Sequence, residues 1–120
     1  MKVMYDYLPP LVKREGATTR IFFGFLPVTI QMGDDAIEKY EGYNVDMVES
    51  VDYNSIVSAI IRGEYPDDRK DAILLNRELL RDNPDHPKAA EYTAEYEQLQ
   101  AWRASAKDVA SEVLTQLMLS

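Results

Sequence analysis

The chain has 120 residues, 46% of them hydrophobic, with one histidine, no cysteine and a formal net charge of −8. That length supports one globular domain with a real core, read as a single unit over residues 1–120, and the missing cysteine removes disulfides, thiolate metal sites and thiol nucleophiles, which fits a reducing compartment. Five Lys/Arg stand against eight Asp/Glu over residues 1–50, and eight against thirteen over residues 51–120, so neither half is basic and nucleic-acid contact is not expected.

The start, MKVMYDYLPP, has no apolar run long enough for a signal peptide. Val3, Tyr5 and Tyr7 alternate with Met4, Asp6 and Leu8, and Pro9-Pro10 ends a strand there. Lys13 to Ala17, with Gly16, reads as a loop. Thr18 to Leu26 is rich in β-branched and aromatic residues, and plain alternation puts Phe23 and Phe25 on one face with Phe22 on the other. Pro27 interrupts the ladder, which marks an edge, a bulge or a corner. The run from Ile21 to Val28 is the longest apolar one and is far short of a membrane span. Val28, Ile30 and Met32 alternate with Thr29 and Gln31 as a half-buried strand, and Gly33-Asp34-Asp35 is a turn. Residues 36–41 fit a strand or one helical turn. Tyr43, Val45, Met47 and Val51 alternate with Asn44, Asp46 and Ser50 as a further strand.

From Asp52 the period changes to that of a helix. Ile56, Ile60, Tyr53, Val57 and Ile61 share an arc of about 140°. Asp52 is placed to cap by accepting from the amide of Asn54 or Ser55, Gly63 suits the left-handed residue that ends a helix, and Pro66 suits the first turn of the next. Asp67, Asp68 and Asp71 then sit at the positive end of a helix dipole, the ordinary place for acids, rather than as a metal cluster. In this second helix Leu75, Leu79, Ala72, Leu80 and Ile73 form the apolar arc, and Asn76 falls inside it. A buried amide there either ties down a backbone segment or lines a ligand pocket.

Residues 82–87, reading Asp-Asn-Pro-Asp-His-Pro, form a turn. They lack the alternating oxygens and the glycine of a calcium loop, and His86 has no second ligand at metal spacing. No metal and no cofactor is expected. Lys88 to Met118 is a long helix whose apolar face runs from Val109 and Trp102 through Val113 and Leu99 to Tyr96 and Leu114, with Arg103 inside it. At about 1.5 Å per residue it is roughly 46 Å long, longer than a compact domain of this size. Its end, with Val109, Val113, Leu114, Leu117 and Met118, is expected to overhang and to be covered by a second copy.

Phosphate loops, dinucleotide-binding glycine patterns and nucleophile elbows are missing. The pattern Asp52-Tyr53-x-x-Ile56-Val57-Ser58-x-Ile60-Ile61-Arg62-x-x-Tyr65, followed by Ala72-Ile73 and Asn76, resembles one in small uncharacterised proteins of Bacteroidetes and their prophages. Leu99-Gln100-x-Trp102-Arg103-x-x-Ala106-Lys107 is similar to their C-terminal helix. The resemblance spans residues 52–107 and implies a phage or mobile-element setting, with no catalytic residues to carry over.

The expected fold is α+β: an antiparallel sheet of three to five strands over residues 1–51, packed against three helices over residues 52–120. The leading functional expectation is a non-enzymatic interaction or assembly protein, cytoplasmic or built into a phage particle. Its expected partners are a second copy, through the last helix, and other virion or mobile-element proteins, with neither nucleic acid nor membrane. The alternative is a small-molecule-binding domain or small enzyme with a pocket near Tyr65, Asn76, Trp102 and Arg103. An acidic inhibitor that mimics nucleic acid is a third class, resting on charge alone.

Overall fold

The computed structural model describes residues 2–48 and 51–119. Four strands are followed by three helices: β1 (Lys2–Tyr5), β2 (Val12–Glu15), β3 (Thr18–Met32), β4 (Asp35–Met47), α1 (Tyr53–Glu64), α2 (Asp67–Asp82) and α3 (Ala89–Leu119). The strands form one antiparallel sheet in the order β1-β4-β3-β2. The α+β architecture is therefore as expected, but several local features differ.

Residues 13–15 are not loop. Val12–Glu15 pairs with Thr18–Ile21 across a tight turn, and Gly16 supplies the left-handed residue at φ 62° that such a turn needs. Residues 36–41 are strand. Pro27 does not stop β3, where it stands opposite Tyr40. β2 pairs with β3 only as far as Ile21, so β3 is an edge strand at Pro27, and a missing amide is tolerated there. β4 ends at Met47, Val51 lies beyond it, and Ser50 falls outside the described residues.

The irregularity is three residues before Pro27. The register steps from Phe23 opposite Tyr43 to Leu26 opposite Glu41, so Gly24 and Phe25 together oppose Gly42. Gly24 has φ 67°, the left-handed conformation of a glycine bulge. One extra residue reverses the alternation beyond it. Phe25 therefore joins Phe22 on the outer face, with ring centroids 6.4 Å apart, while Phe23 stacks on Tyr43 on the helix side. This corrects the expectation that Phe23 and Phe25 share a face. Gly42 is buried beneath the Phe25 ring; a Cβ there would lie 2.6 Å from Phe25 Cγ.

Asp52 caps α1 by accepting from Ser55 N at 2.8 Å. The helix does not end at Gly63, which is not left-handed. It ends at Tyr65, which precedes Pro66 and is driven to an extended backbone (φ −124°, ψ 89°). Pro66 is then the N-cap of α2. Helix α2 packs chiefly on α3 and turns Ile73, Asn76 and Leu80 inward, while Leu75 and Leu79 stay 66% and 45% exposed. The packed face is thus rotated by roughly 50° from the centre of the apolar arc read from the sequence.

The main core lies between the sheet and the paired helices α1 and α3. It is built from Ile21, Phe23 and Met47 of the sheet, Ile56 and Ile60 of α1, and Ala106, Ala110 and Val113 of α3. Ala106 and Ala110 let α1 lie close on α3. Each fully buried isoleucine contributes about 1.5–3 kcal/mol. A second cluster, Tyr65, Ile73 and Leu99, joins α2 to the first half of α3.

The molecule is flat, 50 × 46 × 20 Å, with a radius of gyration of 17.8 Å. A compact chain of this length would have a radius near 14 Å. Its accessible surface is 8118 Å². A compact monomer of its mass would expose about 6,600 Å². Two parts leave the core: the β3–β4 hairpin beyond Leu26 and Glu41, and the pair formed by α2 with the start of α3.

Candidate interaction surfaces

Trp102 and Tyr65, two of the four residues read as pocket lining, are spent on packing. The Trp102 ring lies edge-on to Tyr43 at 4.9 Å and 5.8 Å from Phe23, and its Nε1 donates to the Ile60 carbonyl at 3.0 Å. It packs against both hydrophobic clusters. Tyr65 is buried against Ile73 and Leu99, with the Arg69 guanidinium 4.9 Å over its ring. Asn76 is half-buried on the packed face of α2 rather than enclosed, and Arg103 is half-buried beside Trp102. Tyr65 and Trp102 are brought together through the second cluster.

The end of α3 does not overhang. Val113 is fully buried, and Val109, Leu114 and Leu117 pack against the main core; Met118 is the exposed one, at 87%. The expectation of an overhang assumed a spherical domain. In a plate 50 Å long, a helix of 31 residues fits along the body, and its last turns lie over the sheet. The argument for a second chain on these five residues therefore loses its premise.

Asp67 is shared between Arg62 and Lys70, each 3.8 Å away, at the start of α2. His86 turns Nδ1 to accept from the Lys88 amide at 3.0 Å, and its ring lies 5.5 Å from Tyr92. Among the described residues no group of three His, Cys, Asp or Glu converges as a metal site, and no helix is long and apolar enough to cross a membrane.

What the chain leaves uncovered is more informative. Paired residues share a face, so the register places Leu26, Val28, Ile30 and Met32 of β3 with Ile37 of β4 on one side of the projecting hairpin. That side continues the face that carries Phe23 and Tyr43, but the described helices pack further back, on the part of the sheet holding Ile21, Phe23 and Met47. Leu26 and Met32 remain 68% and 57% exposed. By the same register Glu41 opposite Leu26, Lys39 opposite Val28 and Asp35 opposite Met32 stand on this side too; Glu41 pairs with Lys2 at 3.0 Å and Lys39 with Asp6 at 3.1 Å. The hydrogen bond from Lys2 to Glu41 holds the Lys2 ammonium above its ordinary pKa. On the other face, Arg20 grips Asp46 through Nε and Nη2, which raises the guanidinium pKa.

A groove of about 250 Å³ lies between α2 and α3, lined by Leu74, Arg77, Glu78, Arg81 and Tyr96. Arg77 sits 5.0 Å over the Tyr96 ring, and Arg81 is 3.8 Å from Glu78. A shallower hollow lies along α1, lined by Asn54, Ser55, Ser58, Ala59 and Arg62. Neither lies between sheet and helices. Sequence reasoning missed both the groove and the projecting hairpin. The available signal was Gly24, an isolated glycine inside a strand pattern, which marks a bulge.

No protein-family model, curated protein or solved structure matches this chain.

Proposed function

We propose that this chain is a non-enzymatic interaction or assembly module, and that its contact element is the projecting β3–β4 hairpin. One observation carries the reading: a two-stranded ribbon holds Leu26, Val28, Ile30, Met32 and Ile37 on one face, with no layer of its own chain described over it. An exposed apolar row with charged residues beside it is a usual form of a surface awaiting a partner. A pocket at Tyr65 and Trp102 has less support, because both side chains are packed into the hydrophobic clusters. The resemblance of residues 52–107 to prophage-associated proteins suggests a structural or accessory role in a phage particle.

Site-specific photo-crosslinking tests the reading. A photoreactive residue at Ile30 should give a discrete adduct in cells carrying the native locus, while one at Ser58 should not. Equal labelling from both sites, or none from Ile30, would overturn it. Detection of the chain in purified particles tests the phage setting separately.

A further inference from the structure

Both parts that leave the core are acidic in sum, but the groove between α2 and α3 is locally basic where the hairpin tip is acidic. From Phe22 to Glu38 the chain has no lysine or arginine, and the tip of the hairpin holds Asp34 and Asp35. The tip is a defined turn: Gly33 has φ 62°, and Gln31 Nε2 donates to the Gly33 carbonyl at 3.2 Å. Met32 stands opposite Asp35, and Ile30 opposite Ile37, directly behind it. The groove between α2 and α3 presents two guanidinium groups, Arg77 and Arg81, against the single carboxylate Glu78. Leu74 and Tyr96 complete its lining. Acid beside apolar at the tip is thus matched by base beside apolar in the groove.

The surface area points the same way. The accessible surface of 8118 Å² exceeds that of a compact monomer by about 1,500 Å². A standard protein contact covers about 800 Å² on each partner. A chain that uses two different surfaces, one to dock and one to receive, would cover about twice that, which matches the excess. A contact through one self-complementary patch would cover half of it.

We infer that the acidic tip around Asp34 and Asp35 docks into the Arg77/Arg81 groove of a second copy of this chain, head to tail. The inference rests on the interaction-module reading and names its partner. Unlike surfaces meet, so the contact does not close at two copies by necessity; it propagates into a ring or a filament. Glu78 opposes the incoming tip and keeps the contact reversible. The pairing is charge-steered, so it weakens with added salt.

Sedimentation velocity on the full chain tests it. The wild type should grow in mass beyond a dimer as its concentration rises through tens of micromolar, and less so at high salt. Asp34→Asn with Asp35→Asn, and separately Arg77→Gln with Arg81→Gln, should each weaken self-association about tenfold or more. All four positions are exposed, so both variants should keep the wild-type circular dichroism and, at dilutions where every form is monomeric, a melting curve close to that of the wild type. Mixed one to one, the groove variant still offers an intact tip and the tip variant an intact groove. The mixture should form a dimer and stop there. A wild type that stays monomeric, an oligomer indifferent to both variants, or a mixture that forms no dimer would each overturn the inference. A monomeric wild type that still crosslinks from Ile30 to a different protein would overturn the head-to-tail contact and leave the interaction-module reading standing.

Discussion

The indole Nε1 of Trp102 donates to the main-chain carbonyl of Ile60 across 42 residues of chain, at 3.0 Å. The acceptor lies just before the last turn of α1. This bond pins the end of α1 to the middle of α3, at the point where the two hydrophobic clusters meet. Trp102→Phe keeps an aromatic ring and removes the donor. It should cost about 0.5–1.5 kcal/mol for the lost bond, with a further loss from packing. Trp102→Ala should cost about 3–5 kcal/mol. Urea denaturation followed by circular dichroism checks both, and an unchanged midpoint for Trp102→Phe would show the bond to be idle.

Gly42 is held to glycine by the ring above it. A Cβ there would sit 2.6 Å from Phe25 Cγ and 2.9 Å from the Phe23 carbonyl oxygen. Gly42→Ala should destabilise by roughly 1–3 kcal/mol through overpacking. Part of that cost should vanish in a Phe25→Ala background, because only the ring contact is relieved and the backbone contact stays. A double-mutant cycle measures this coupling, and strict additivity would refute it.

Gly24 is the extra residue of β3. Deleting it should leave Val28 opposite Lys39 and Ile30 opposite Ile37, since Phe23 and Leu26 already pair with residues two apart on β4. Deleting Thr29 should instead disturb the pairing from there to the turn. Cross-strand nuclear Overhauser contacts distinguish the two. Gly24→Ala, at φ 67° and with its Cβ 3.3 Å from the Tyr43 ring, should cost about 1–2 kcal/mol.

Helix α2 offers a test of which face packs. Leu80→Ala should destabilise by roughly 2–5 kcal/mol, because Leu80 is buried against α3. Leu75→Ala should stay within about 0.5 kcal/mol of wild type. Thermal melts of the pair would reveal a reversed order at once.

Lys13 and Glu15 lie on one face of β2, 3.0 Å apart. The Lys13 ammonium holds the Glu15 carboxyl below the ordinary carboxylate range, chiefly through their hydrogen bond. A folded-state pKa that is lowered means the pair's contribution is present above the unfolded-state value and is lost as pH falls through the folded one. A carbon-detected NMR titration should find the Glu15 midpoint below that of an exposed glutamate, and Lys13→Ala should return it to the ordinary range.

Local signals in the sequence were reliable where the cause is local. Asp52 caps α1, and Ile56 and Ile60 face the core, because a cap and a 3.6-residue period need no knowledge of distant partners. The faces that depended on a partner were harder. Apolar residues surround more of α2 than its neighbours can cover, so the arc read from the pattern held Leu75 and Leu79 together with Ile73 and Leu80, and packing, chiefly on α3, buries the latter two. The side taken by Phe25 turned on a single bulge at Gly24, which shifts the alternation by one residue. The last turns of α3 looked stranded because length was compared with a sphere, and the plate-like body accommodates them. Of the proposed surfaces, the hairpin face lay in the alternation of Val28, Ile30 and Met32; the groove joins α2 to α3 through residues far apart in the chain and had no local trace.

Flatness also has a calorimetric signature. A body only 20 Å thick already shows water much of what unfolding would reveal. The heat-capacity increment should therefore fall below the usual 12–15 cal/mol/K per residue or so, and the denaturant slope should be shallow for the chain length. Association would hide that surface again. As protein concentration rises, the unfolding transition should both steepen and move to higher denaturant, so the two halves of the molecule that leave the core would be felt as a change in cooperativity before any assembly is seen.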